Sequence, residues 1–172
     1  MPATGCINCN YDKPFMTKEE LKIKITELLP TAAFDESGDP MGIGWLNINI
    51  PPAEWMPLAK HLFFEDSLHF HFLFCITCVD WKTHFTMVYH LTSTIHRHNI
   101  VVKANLDRNK PEIESACSIW QTANFHEREQ YEMFGVRFIN HPDLRLLILP
   151  DGWEGKNPLR KDFEDPINMI KL

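Results

Sequence analysis

No stretch of this chain approaches the roughly 18 apolar residues of a membrane-spanning helix. The N-terminus shows no charged segment followed by an apolar one, so no secretory signal is expected. Positive charge is scarce as well. Lys and Arg number 17 against 23 Asp and Glu, a formal net charge of -6, which argues against a nucleic-acid binder with its concentrated basic face. The five cysteines, Cys6, Cys9, Cys75, Cys78 and Cys117, are an odd number. A chain of 172 residues can bury enough core to stand without disulfides, so reduced thiols in an intracellular setting are expected. Catalytic signatures are missing too: there is no Gly-x-Ser-x-Gly elbow and no phosphate-binding loop, and Gly42-Ile43-Gly44 lacks the third glycine and preceding strand of a dinucleotide fingerprint.

What is present reads as one globular domain, with 44% hydrophobic and 12% aromatic residues. Residues 1–16 contain Pro2, Gly5 and Pro14 without periodicity and read as an arm. Thr17-Lys18-Glu19-Glu20 has the Thr-x-x-Glu form of a capping box, and Leu21, Ile25, Leu28 and Leu29 follow at helical spacing until Pro30. Gly44 to Ile50 alternates, with Leu46, Ile48 and Ile50 on one face, and reads as a strand. Pro51-Pro52 opens a second helix carrying Trp55, Leu58, Leu62 and Phe63, with Pro57 near its start.

From His69 to Trp81 the even positions Phe70, Phe72, Phe74, Ile76 and Cys78 are expected to face one way. Between Thr83 and Ser93 the odd positions Phe85, Met87, Tyr89 and Leu91 do so. Matching the faces requires cross-strand partners whose numbers sum to an odd value, such as 76 with 87 across a turn at Trp81-Lys82. Ile100, Val102 and Ala104 extend this to a three-strand meander, for example 89 with 100. Pro111 is then expected to start a helix over 112–134, with a break near Thr122 and an end at Gly135. The fold class predicted is α+β: helices layered on a mostly antiparallel mixed sheet over 17–135, followed by an extended C-terminal tail over 136–172.

Two Cys-x-x-Cys pairs suggest a thiolate metal site, but residues i and i+3 of a strand point to opposite faces, so Cys75 and Cys78 cannot share an ion. Cys78 is read as a core residue and Cys6/Cys9 as part of the arm. His69/His71 and His96/His98 have same-face spacing, yet no carboxylate or cysteine joins them in a recognisable ligand pattern, and they are read as sheet or strand-end residues. No metal is proposed from the sequence. Glu127 and Glu129 could form an acid/base pair, but they diverge on a helix, and Arg128 is expected to pair with Glu132 one turn on. A binding role is therefore preferred.

The tail combines Asp143, Leu144, Arg145, Leu159, Arg160, Lys161, Asp162 and Phe163. Bidentate cations beside apolar side chains are the mixture of an interface centre, or of a tail folded on its own domain with the same ion pairs. Composition does not separate the two.

Three ordered blocks carry a more specific message. Glu127-Arg128-Glu129-x-Tyr131-Glu132-Met133-Phe134-Gly135, His141-Pro142-Asp143-Leu144-Arg145, and Trp153-Glu154-Gly155 followed by Pro158-Leu159-Arg160-Lys161-Asp162-Phe163 together resemble the signature of the 30-kDa subunit of respiratory complex I, NADH:quinone oxidoreductase, the C subunit in bacteria. The resemblance implies a non-catalytic peripheral-arm subunit that binds no flavin, iron–sulfur cluster or quinone itself. Flavin and iron–sulfur clusters are expected in its partners. It implies docking on the 49-kDa-type quinone-site subunit and near the cluster-carrying subunits, at the cytoplasmic face of the inner membrane if bacterial. The residues expected at that interface are Glu127, Arg128, Glu129, Glu132, His141, Asp143, Arg145, Leu159, Arg160, Lys161, Asp162 and Phe163. The equivalent subunit of a membrane-bound [NiFe] hydrogenase and, in a different class, a free-standing Cys/His metalloenzyme are the alternatives.

Overall fold

The computed structural model describes residues 16–35 and 44–165; nearly all of the N-terminal arm, including Cys6 and Cys9, lies outside the described residues. Helix α1 spans Lys18–Leu28 and begins with the expected capping box, in which Glu20 N donates to Thr17 Oγ1 at 3.3 Å and Thr17 N donates to Glu20 Oε2 at 2.9 Å. Strands β1 (Ala33–Asp35) and β2 (Leu46–Ile50) follow, then a 3-10 turn at Pro52–Glu54 leading into α2 (Trp55–Phe64). Pro57 falls in the first turn of α2, where a missing N–H costs nothing, and the helix runs on through it.

Strands β3 (Phe72–Asp80), β4 (His84–Ser93) and β5 (His98–Asp107) form the meander, and β5 also pairs in parallel with β2, giving a five-stranded sheet in the order β1-β2-β5-β4-β3. The α+β class and the mixed, mainly antiparallel sheet are as expected. Leu21 and Ile25 of α1, Trp55, Leu58 and Leu62 of α2, and Ile48, Ile76, Phe85, Tyr89 and Val102 of the sheet share one core. Trp55 stacks on Tyr89 at 3.9 Å between ring centroids.

Register differs from expectation by one step of two residues. Ile76 pairs with Tyr89 and Tyr89 with Val102, so the parity was right and the turns were misplaced. The first turn is Lys82-Thr83: Trp81 N donates to His84 O at 3.0 Å, Lys82 takes φ 69°, and its N–H donates to Asp80 Oδ1 at 2.7 Å. A bulge between Leu73 and Cys75 also changes the face of β3. Leu73 is buried, while Phe72 is exposed and Phe74 half-buried beside Trp45 and His90 on the opposite side, so the expected run of inward phenylalanines is corrected there.

The first half of the predicted 112–134 helix is a strand. β6 (Glu112–Glu114) pairs in parallel with β7 (Arg137–Ile139), which lies at the start of the expected extended tail. Only Ile113 of β6 points inward, and Pro111 contributes its carbonyl to Arg137 N at 2.8 Å. The helix proper, α3, is Ala123–Phe134, close to the expected break at Thr122, and Gly135 ends it at φ 77° with its N–H on Tyr131 O at 2.9 Å.

Candidate functional site

Helix α3 uses its two flanks differently. Towards the sheet it covers the open edge of β3: Gln130 Oε1 accepts from Cys78 N at 3.0 Å and its Nε2 donates to Ile76 O at 3.4 Å. Just before the helix, Thr122 Oγ1 donates to Leu73 O at 2.8 Å and Trp120 Nε1 to Phe70 O at 2.9 Å. An edge strand satisfied in this way no longer offers a free ladder to another chain.

The other flank grips the segment after β7. Positions 124, 128 and 132 lie one above the next on the helix. Asn124 O lies 3.3 Å from His141 Nε2; Arg128 donates from Nε to Arg145 O at 3.1 Å and from Nη2 to Leu146 O at 2.7 Å. Glu132 accepts the N–H groups of Leu147, Ile148 and Leu149 at 2.9, 3.0 and 3.2 Å. Arg128 and Glu132 therefore each serve the strap 141–149 rather than each other, which corrects the expected ion pair: both side chains find backbone partners in the segment crossing between them. One carboxylate receiving three successive N–H groups fixes that backbone tightly.

With the backbone held, side chains point away. Ile148 is 60% exposed and Leu147 38% exposed. Asp143 and Arg145, both exposed, pair at 2.9 Å. Arg128, Tyr131, Leu144, Arg145, Asp151 and Glu154 line an open groove of about 500 Å³ beside the strap.

The tail is stapled to the same end of the domain. Leu159 N donates to Met133 O at 3.1 Å, Arg160 Nε to Phe134 O at 2.6 Å, and Lys161 N to Asp80 Oδ2 at 2.9 Å. Arg108 bridges Asp80 and Asp162, the latter at 2.7 Å. The guanidinium groups of Arg108 and Arg160 each lie 5.0 Å from the centroid of the Phe85 ring. Burial alone would raise the Asp80 carboxyl, but the N–H bonds from Lys161 and Lys82 and the Arg108 guanidinium outweigh it and hold it at about 2. Leu159 is 55% exposed, Lys161 and Asp162 are exposed, and Phe163 is half-buried.

Glu127 and Glu129 diverge as expected. Glu129 is half-buried, whereas Glu127 is fully buried and accepts Ser115 Oγ at 2.5 Å, Ala116 N at 2.7 Å and Cys117 Sγ at 3.4 Å. His141 Nε2 lies 3.9 Å from Glu127 Oε2. Burial pushes the Glu127 carboxyl up to about 7 despite the hydrogen bonds that pull it down, and burial likewise lowers His141. The histidine pairs behave as strand-end residues, with His96 Nε2 2.8 Å from Asp66 O and His98 Nε2 2.8 Å from Leu68 O. Sequence reasoning missed Asp80, Arg108, Ser115, Cys117 and Gln130. The last lies inside the recognised block, and its position on the sheet-facing side of α3 was the available signal.

Residues 48–166 match the family model described as respiratory-chain NADH dehydrogenase, 30 Kd subunit. The chain belongs to this family. The C subunit of NADH-quinone oxidoreductase from Roseiflexus castenholzii is 38% identical over 122 residues, covering 69% of this chain and 70% of that one. The C/D subunit of NADH-quinone oxidoreductase from Phocaeicola vulgatus is 45% identical over 106 residues, 60% of this chain but only 20% of that longer relative. Among solved structures, a chain of the membrane-bound sulfane sulfur reductase, an archaeal respiratory membrane complex, aligns with a TM-score of 0.69 at 27% identity, covering 85% of each. A trypsin-resistant fragment of Nqo5 aligns with a TM-score of 0.61 at 25% identity, covering 72% of this chain and 98% of that one. The 30-kDa family is one of subunits in NADH:quinone oxidoreductase-type complexes, and no helix among the described residues is long and apolar enough to cross a membrane.

Proposed function

We propose that this 30-kDa-family subunit is a non-catalytic scaffold of the complex I peripheral arm, docking on the 49-kDa-type quinone-site subunit while flavin and iron–sulfur clusters reside in other partners. The observation that carries the reading is the strap: its backbone is fixed by Arg128 and Glu132, while Leu147 and Ile148 are left exposed. Rigid presentation of apolar side chains lowers the ordering cost of association, which is what a permanent interface needs. Within this reading Glu127, Arg128, Glu132, His141 and Arg160 support the surface from behind, and Glu129, Asp143, Arg145, Leu159, Lys161, Asp162 and Phe163 join its outer contacts.

The C/D relative supports a lasting neighbour, because subunits that share one polypeptide can share a permanent interface; the reading equates D with the quinone-site subunit. The 30-kDa-type chain would hold that neighbour and the cluster chain in fixed geometry as electrons pass from NADH to quinone, coupled elsewhere to proton translocation. Its membrane association would come through the complex, on the cytoplasmic face of a bacterial inner membrane. Purifying the tagged chain from gently solubilised membranes should bring down the quinone-site and cluster-carrying subunits with NADH:quinone activity. Recovery as a lone monomer would sink the reading. The likeness to a sulfane sulfur reductase chain favours one second reading, the equivalent subunit of a related membrane complex such as a [NiFe] hydrogenase. Hydrogen evolution without NADH oxidation by the same preparation would select it.

A further inference from the structure

Cys117, Glu127 and His141 come from three separate elements, the turn after β6, helix α3 and the strap after β7, and their ligand atoms all lie within 4.8 Å of one another. We propose that they form a binding site for one zinc-class divalent cation, held by Cys117 Sγ, Glu127 Oε2 and His141 Nε2. Such a site was invisible in the sequence because the three residues fall in no short spacing pattern.

Geometry is the first argument. Bonds of roughly 2.0–2.3 Å in tetrahedral coordination separate neighbouring ligand atoms by about 3.3–3.8 Å. Here Sγ lies 3.4 Å from Oε2, and Nε2 lies 3.9 Å from Oε2. Charge is the second. The Glu127 and His141 side chains are both 0% exposed, and Glu127 has no Lys or Arg partner among the described residues; its close contacts are the neutral donors Ser115, Ala116 and Cys117. A buried carboxyl without a Lys or Arg either stays neutral or takes a cation, and a bound divalent ion would stabilise its carboxylate form here. The third is ligand chemistry, since a thiolate, an imidazole and a carboxylate together suit zinc and not magnesium or calcium.

The supporting bonds are already in place. Ala116 N occupies Glu127 Oε1 and Ser115 Oγ reaches Oε2, so the carboxylate is oriented from behind. Cys117 is half-buried and supplies the side from which an ion can enter. Asp143 N donates to His141 Nδ1 at 3.0 Å, so the neutral ring carries its proton on Nε2, facing Asn124 O. Binding would move that proton to Nδ1, break the Asp143 and Asn124 bonds, and release to solvent the Cys117 thiol proton and any proton held by the Glu127 carboxyl. The cation would then tie the strap to α3 and to the turn after β6.

The test is a titration of the reduced, metal-free full chain with Co²⁺, followed by competition with Zn²⁺. One equivalent should produce a thiolate-to-cobalt charge-transfer band and tetrahedral visible bands, both displaced by Zn²⁺. Cys117→Ser, close in size and still a donor to Glu127, should lose the charge-transfer band; Glu127→Gln should lose stoichiometric binding. A Cys6→Ser/Cys9→Ser variant should retain both. Nitrogen NMR of His141 should report the change of tautomer on Zn²⁺ addition. Absence of stoichiometric binding, a band that survives in Cys117→Ser, or one that depends on Cys6 and Cys9 would overturn the assignment. None of these outcomes depends on whether the chain docks on a partner.

Discussion

Glu132 shows how much a single side chain contributes to the strap. It accepts three consecutive N–H groups from Leu147 to Leu149, and hydrogen bonds to a charged group contribute about 1.5–3 kcal/mol each where water cannot replace them. Here the strap is partly solvated, so Glu132→Ala should cost about 2 kcal/mol in urea unfolding. It should also speed proteolytic cleavage within 145–150, while Glu132→Gln, which keeps an acceptor, loses less. Unchanged cleavage in the alanine variant would show that Arg128 alone holds the segment. Asp80 makes a pH-dependent contribution. Its carboxyl is held at about 2 in the fold against 3.8 ordinarily, so its stabilisation is present above pH 3.8 and is lost as pH falls towards 2. Melting temperatures of the wild type and Asp80→Asn should therefore differ most at neutral pH and converge on acidification through that window. Parallel curves would show that Asp80 is not the titrating staple.

At the scale of elements, the end of α3 is constrained on two sides. Gly135 has φ 77°, and an added Cβ would sit 2.8 Å from Asn157 Nδ2. Gly135→Ala should cost about 1–2 kcal/mol for the left-handed backbone alone, plus the displacement of Asn157, whose amide bonds Gly155 O at 3.2 Å. Since Asn157 itself has φ 49°, Asn157→Gly fits its backbone and removes the clash. The double variant should recover the steric part of the loss in thermal unfolding and keep the backbone part; simple additivity would mean the two residues do not meet.

Local chemistry decided which elements could be read from the sequence. The capping box at Thr17 and the glycine stop at Gly135 act through neighbouring residues, and both were legible. Strand faces were legible as parity except at the start of β3, where the bulge between Leu73 and Cys75 switches the face. The turn at Lys82-Thr83 was not, because an unusual φ at a lysine and the Asp80 bond that supports it leave no composition signal. Glu112-Ile113-Glu114 looked helical beside a long polar-apolar pattern, and only its pairing with 137–139 makes it a strand. Arg128 and Glu132 were expected to pair with each other, since helical spacing cannot reveal a strap lying across both.

For the whole molecule, the signature blocks that identified the family divide into residues that build a surface and residues that face away from it. This division makes a docking prediction separable from a folding one. Ile148 is 60% exposed and its N–H is already engaged, so Ile148→Asp should alter the stability of the isolated chain by no more than about 0.5 kcal/mol. In an assembled complex the same carboxylate would be buried without a partner, a cost of several kcal/mol. The variant should fold normally and be lost from the purified complex. Ile95→Asp, a change at another exposed isoleucine (51% exposed) in the turn between β4 and β5, should leave both stability and assembly intact. Abundance of the chain in the complex and quinone reductase activity, read side by side for the two variants, check this. If Ile148→Asp assembles as well as the wild type, the strap tip does not face the partner, and the docking surface must lie instead across Leu159 and the charged side chains of the tail.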